Sequence, residues 1–351
     1  MRRFARTAWT RLVPALAIGL MTSLALPPSA DAKSRPKTKA ARTADVPKPQ
    51  PVRSRAAPLA QAKTALVPFE AAPFPYRDKT ATSDKPFFEV DETGRRVHTT
   101  PYGRRYWEDE TYSDNRVLLH IPKGFDIRRP ALIVVFFHGH GATLERDVLR
   151  RQQVADQISR SGANAVLVAP QFAVDAADSS AGRFAEPGAF GRFMGEASQA
   201  LTRLHGDRRS APGFAAAPVV LVAYSGGYLA AASCATKGGL NKRLRGVVLL
   251  DALYGELGKF TSWIENDRSA FFVSSYLGST RDNNVELAGR LAAREIAYET
   301  ALDRPLRQGD IAFLAASSSD GGDVTHRSFV THAWVDHPIE DLLRRLPGYR
   351  R

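Results

Sequence analysis

Cysteine is nearly absent from this chain: Cys234 is the one thiol among 351 residues. No intramolecular disulfide can form, and the small-residue setting Ala230-Ala-Ala-Ser-Cys234-Ala predicts a packed helix position rather than a reactive thiol. The histidines are accompanied by no cysteine cluster and no H-E-x-x-H, which removes the usual support for a zinc centre. Beyond the first 30 or so residues, no segment has the length and apolarity of a membrane span. Acidic residues are scarce only at the amino end. Residues 1–75 hold 13 Lys and Arg against 3 acids, so the formal charge of +13 shrinks to +3 over 76–351. A nucleic-acid-binding body is thereby excluded, and the basic character belongs to the amino-terminal stretch.

That stretch begins Met1-Arg-Arg-Phe-Ala-Arg, continues through an apolar run from about Leu12 to Leu26, and ends in Ala30-Asp31-Ala32. A positive start, a short apolar core and an A-x-A site predict a signal peptide, 1–32, cut before Lys33. The run contains Pro14 and is shorter than the roughly 20 residues that cross a bilayer, so an uncleaved membrane anchor is the alternative rather than the lead. The expected location is a bacterial periplasm or the exterior. Residues 33–75, rich in Pro, Ala, Lys and Arg without apolar periodicity, read as a disordered linker. It is expected to be a solvated spacer, with weak contact to anionic surfaces as its functional alternative. Residues 76–351 are enough for one large single-core domain.

Within that domain, strand-like and helix-like segments alternate. Phe87–Val90 and Arg116–Ile121 come first. The continuous apolar run Ala131–Phe137 fits a strand buried on both faces of a parallel sheet. Further strands are expected at 164–169, 219–223, 245–250, 270–276 and 311–316. Helices are expected at 145–161, 191–205, 226–236, 257–265, 285–295 and 338–346. The pattern predicts an α/β fold, a mostly parallel central sheet with helices on both faces and no internal repeat.

In such a sheet ligands bind beyond the carboxyl ends of the strands. After Val219-Val-Leu-Val-Ala comes Tyr224-Ser225-Gly226-Gly227, then an Ala-rich stretch. A serine on that sharp strand-to-helix turn needs small neighbours, and the helix amino terminus beneath it favours developing negative charge. The pentapeptide Ala223-Tyr-Ser225-Gly-Gly227 resembles the nucleophile elbow of the α/β-hydrolase superfamily, usually G-x-S-x-G, departing at its first position. That resemblance implies a serine hydrolase of the esterase type with Ser225 as nucleophile. It also implies an oxyanion hole in the loop His138-Gly-His-Gly141, carried by the backbone of Gly139 and His140 together with the N–H of Gly226. A glycine turn, or a metal site built from His138 and His140, is the competing reading of that loop.

The superfamily order places the histidine last, leaving His326, His332 and His337. His332 is chosen because it precedes the proline-led helix at Pro338 by six residues. The acid is Asp251, whose carboxylate in an apolar stretch needs a partner, or else Asp282, the position that most superfamily members would favour. The long segment 171–193 and the aromatic stretch 102–112 are candidates for pocket walls, whereas Tyr224 and Tyr254 read as packing.

The resemblance implies cleavage of an ester or amide through an acyl-enzyme, on a small-molecule or envelope-derived substrate, with no cofactor and no metal. Two rivals stand beside it: a non-catalytic hydrolase-like protein that binds envelope material, and metal-assisted hydrolysis through the histidines.

Overall fold

The computed structural model describes residues 56–80, 84–316 and 324–351. The expected signal peptide (1–32) and residues 33–55 of the expected linker lie outside the described residues. The first strand, β1, is Lys63–Pro68. A small three-stranded sheet follows, made of β2 (Glu89–Val90), β3 (Arg96–Thr99) and β4 (Arg105–Trp107), with the single-turn helix α1 (Glu108–Thr111) behind it. The remaining strands are β5 (Arg116–Ile121), β6 (Leu132–Phe137), β7 (Ala165–Pro170), β8 (Val219–Tyr224), β9 (Leu244–Leu250), β10 (Phe271–Tyr276) and β11 (Ile311–Ala315). Between and after them lie α2 (Val154–Arg160), α3 (Ala189–His205), α4 (Ala211–Ala216), α5 (Tyr228–Lys237), α6 (Leu257–Asn266), α7 (Gly278–Ala292) and α8 (Pro338–Arg344).

The large sheet runs β1-β5-β7-β6-β8-β9-β10-β11. β5 pairs antiparallel with β1 and with β7, and the other neighbours are parallel. Every residue of β6, β7 and β8 is buried, as unbroken apolar runs require when helices cover both faces. Side-chain alternation then feeds two cores. Ile133, Val135 and Phe137 join Phe190 and Phe193 of α3 on one face, whereas Leu132, Val134 and Phe136 join Ile158 of α2 and Leu342 of α8 on the other. The mostly parallel α/β sheet expected from the sequence is present. Among the described residues, no helix is long and apolar enough to cross a membrane.

Three boundaries differ from expectation. The ordered domain starts before residue 76: β1 pairs with β5 from Lys63↔Ile121 to Pro68↔Arg116, and Phe69 and Phe74 are buried. An edge strand takes its hydrogen bonds and burial from a partner some fifty residues away, so composition alone hides it. The helix expected over 145–161 is two pieces, a π-helical segment Leu144–Arg151 and α2, broken where Gln153 adopts a left-handed φ of 51°. The helix expected over 285–295 begins earlier, at Gly278.

The chain leaves β6 for β7 on one side and returns to β8 on the other. β6 and β8 are therefore neighbours whose following loops diverge to opposite sides of the sheet. This is the switch point at which open α/β sheets form their clefts.

Candidate active site

Ser225 is the first residue beyond β8, and its φ of 51° makes the chain turn sharply into α5. That turn needs the close approach seen at Gly227, where a Cβ would stand 2.8 Å from the carbonyl oxygen of Phe137 in β6. Ala223, the departure from the usual first glycine, is buried without conflict. Ser225 itself is 7% exposed, so its hydroxyl opens into the cleft from a mostly buried backbone.

The histidine beside it is His326, not His332. His326 Nε2 lies 2.9 Å from Ser225 Oγ, and its Nδ1 lies 2.6 Å from Asp251 Oδ2. An ionised carboxylate only accepts, so Nδ1–H donates to Asp251 and leaves Nε2 as the acceptor for the serine proton. The loop that carries His326 is pinned from β8: the Tyr224 hydroxyl donates to the His326 carbonyl at 2.7 Å, and the two rings stack with centroids 5.1 Å apart. Thr325 caps the short 3₁₀ turn His326–Ser328. Tyr224, read from sequence as packing, thus also holds the imidazole-bearing backbone.

His332 is exposed, with Nδ1 2.9 Å from its neighbour Thr331 Oγ1, and it closes a tight turn by pairing with Asp336. His332 stands six residues before Pro338 without reaching the site because the chain spends the residues between His326 and Pro338 on that surface turn. His337 caps α8 in a left-handed conformation. The signal that could have found His326 was its place as the first histidine after the last strand, within a Thr325-x-x-Ser328 capping sequence.

Of the two candidate acids, Asp251 meets the histidine and Asp282 does not. Asp251 follows β9 directly and is fully buried. Its Oδ1 accepts from the Thr280 hydroxyl and from the Leu277 N–H. Burial pushes its carboxyl upward, but the hydrogen bonds from His326, Thr280 and Leu277 together outweigh it and hold the pKa below the ordinary value. Asp282 lies exposed on α7.

The loop after β6 reaches the elbow because Phe137 pairs with Ala223 in the sheet register. A Cβ on Gly139 would stand 2.6 Å from that of Ser225, so only glycine fits. Among the described residues, the backbone N–H groups of Gly139 and His140 have no hydrogen-bond acceptor. Gly226 follows Ser225 at the head of the turn into α5.

His138 anchors this loop from below. Its Nδ1 lies 2.8 Å from the Gly139 carbonyl, and its Nε2 takes the Phe172 N–H and the Gln171 side-chain amide, each at 2.9 Å. That set of partners fixes a neutral ring with the proton on Nδ1, and burial pushes its pKa down to about 4. With both nitrogens occupied, His138 is a loop anchor in this arrangement rather than half of a metal pair with His140. The His140 ring turns instead to the Ser179 hydroxyl, 2.6 Å away.

Ser225 and His326 open into a cavity of about 620 Å³. Tyr102 and the loop Ala177–Ser180 form walls of it, so parts of both segments singled out from sequence border the site. Tyr228, Tyr254 and Arg327 complete the rim.

No family model matches the chain, and no curated protein sequence matches it. Solved structures do. A ferulic acid esterase is 10% identical, with a TM-score of 0.41 over 82% of this chain and 99% of that one. An S-formylglutathione hydrolase from Agrobacterium tumefaciens is 12% identical, with a TM-score of 0.39 over 74% and 98%. An IroE-like serine hydrolase from Shewanella oneidensis is 12% identical, with a TM-score of 0.38 over 73% and 79%. By its own sheet order, with one antiparallel strand in second place and the serine turn after β8, the chain has the α/β-hydrolase fold.

Proposed function

We propose that the protein is a serine hydrolase that cleaves an ester, or less readily an amide, through an acyl-enzyme. One observation carries the reading: Ser225 Oγ, His326 and Asp251 are joined by hydrogen bonds of 2.9 and 2.6 Å at the carboxyl end of a parallel sheet. In this reading Ser225 Oγ attacks the substrate carbonyl carbon while its proton passes to His326 Nε2. Asp251 holds the ring orientation and stabilises the imidazolium that forms. The carbonyl oxygen becomes an oxyanion, which the N–H groups of Gly139 or His140 and of Gly226 would receive, with the α5 amino terminus behind them. Such a donor is typically worth about 3 kcal/mol in the transition state. His326 then gives its proton to the departing alcohol, and the ester of Ser225 remains. Water, deprotonated by His326, attacks that ester and releases the acid and free Ser225.

The substrate in this proposal is a small-molecule or envelope-derived ester, and the mature protein works in the periplasm or outside the cell after loss of the signal peptide. Labelling of purified protein with a fluorophosphonate tests the mechanism. Native protein should label, whereas Ser225→Ala and His326→Ala should not. A native chain that stays unlabelled while a control hydrolase labels would sink the proposal.

A further inference from the structure

Tyr102 has no packing duty. Its side chain is 91% exposed at the tip of the β3–β4 hairpin, and yet it borders the cavity above Ser225. The tip is a tight, hydrogen-bonded turn: the Gly103 N–H donates to the Thr100 carbonyl at 2.9 Å, and the Thr100 N–H donates to the Arg104 carbonyl at 2.8 Å. The ring is therefore presented by a defined backbone. Tyr254, 39% exposed, lies with its ring 6.1 Å from that of Tyr228 and 6.2 Å from that of His326. Tyr102, Tyr228 and Tyr254 all line the cavity that opens at Ser225 and His326.

The wall formed by the 177–180 loop is polar and fixed. Asp178 Oδ2 accepts from the buried Tyr112 hydroxyl at 2.8 Å, and its Oδ1 accepts from the Ser180 hydroxyl at 2.8 Å. The Ala177 N–H donates to the Tyr106 hydroxyl at 3.0 Å. Residues of β4 and of the turn after α1 thereby hold the 177–180 loop in place, with Ser179 facing the cavity beside His140. Beside the tyrosine rings, the apolar side chains lining the cavity are the small Pro101 and Ala177 and the single Leu229. A sugar ring has an apolar face that stacks on an aromatic ring and an edge of hydroxyls that need fixed polar partners. The cavity offers both and has room for more than an acyl group.

We infer that the cavity recognises an O-acylated sugar, with Tyr102 and Tyr254 as stacking faces and the 177–180 loop as the hydroxyl-binding wall. The inference rests on the serine hydrolase reading above. The reaction is the one already balanced there: the acyl group passes to Ser225 Oγ, the sugar leaves as the free alcohol, and water releases the acid.

The test compares kcat/KM for 6-O-acetylglucose, ethyl acetate and methyl cinnamate on native protein, Tyr102→Ala and Tyr102→Phe. Native protein should favour the sugar ester over ethyl acetate by about tenfold or more. Tyr102→Ala should cut that preference about tenfold through KM, and Tyr102→Phe, which keeps the ring face, should retain it. Equal rates on 6-O-acetylglucose and ethyl acetate would overturn the inference, as would a preference for methyl cinnamate or a Tyr102→Ala loss shared alike by all esters. Each of those results leaves the hydrolase reading standing. No turnover of any ester together with no fluorophosphonate label would instead remove the hydrolase reading itself.

Discussion

Ser225 and Asp251 occupy equivalent places on adjacent strands: each is the first residue beyond the pair Tyr224↔Leu250, and each turns through positive φ, 51° and 43°. Such values are unfavourable for residues with a side chain and persist where surrounding structure holds them. Here the Asp251 N–H is tied to the Ser275 carbonyl at 2.8 Å in β10. The serine and the acid are thus set by the sheet itself, and the histidine is brought to them by a loop.

The first prediction concerns the acid. Asp251→Asn should lower kcat by about 10⁴, because an amide in place of the carboxylate no longer holds the Nδ1–H tautomer. Asp282→Ala, on the exposed face of α7, should leave kcat within about twofold. Steady-state kinetics on p-nitrophenyl acetate separate the two, and equal losses would refute the assignment.

The histidine assignment gives the second. His326→Ala should remove about 10⁴ or more of kcat, whereas His332→Ala, on its surface turn, should be nearly silent. Tyr224→Phe removes the donor to the His326 carbonyl and should cost about 1 kcal/mol of stability, the usual net worth of one hydrogen bond. It should also lower kcat more than it raises KM. An unchanged kcat in Tyr224→Phe would mean that the His326 loop holds its position without that bond.

The third prediction is steric. A methyl group on Gly139 would stand 2.6 Å from the Ser225 Cβ, so Gly139→Ala must move either the loop or the elbow. The expected result is loss of fluorophosphonate labelling with the thermal transition lowered by only a few degrees, since the loop surrounds the core rather than filling it. Full labelling of Gly139→Ala would show that the loop can retreat without consequence and would weaken its role as an oxyanion hole.

How much of this was legible beforehand follows from the range of each interaction. The strands β6 to β8 and β11 announced themselves because buried parallel strands are locally apolar throughout, and β9 and β10 because each still holds an apolar run beside Arg245 or Ser274-Ser275. Ser225 was legible because a strained strand-to-helix turn demands small residues on both sides, a purely local constraint. Asp251 was legible because a charge amid apolar neighbours needs a partner. His326 was legible only as one of three histidines, since nothing within several residues of it records that Tyr224, about one hundred residues earlier, holds its carbonyl. β1 was hidden for the same reason, being an edge strand defined by β5 rather than by its own Lys-Thr-Ala-Leu-Val-Pro sequence.

The last prediction is an acid weakness. His120 is buried on β5, with Nδ1 2.8 Å from the Thr64 hydroxyl of β1 and Nε2 2.8 Å from Ser159, and burial pushes its pKa down to about 4. His138 is pushed equally low under the β6 loop. Both rings are neutral in the folded protein, whereas in the unfolded chain they take up a proton near pH 6.5. Between pH 6.5 and 4 the unfolded state therefore binds more protons, and stability must fall as pH falls through that window. Above pH 6.5 the contribution of both rings is fully present. Below about 4 their loss is complete, and Asp251, whose pKa is held below the ordinary value, then adds its own as it protonates. Each histidine contributes at most about 3 kcal/mol, at 1.36 kcal/mol per pKa unit. Urea unfolding at pH 7.5, 5.5 and 4.5 should show the midpoint dropping at nearly constant m-value. Because Thr64 and His120 are cross-strand partners, amide exchange in β1 should accelerate before exchange in β6 and β8. A midpoint that stays level from pH 7.5 to 4.5 would mean that both rings accept a proton within the folded structure, against the burial of His120 and the two N–H donors that face His138 Nε2.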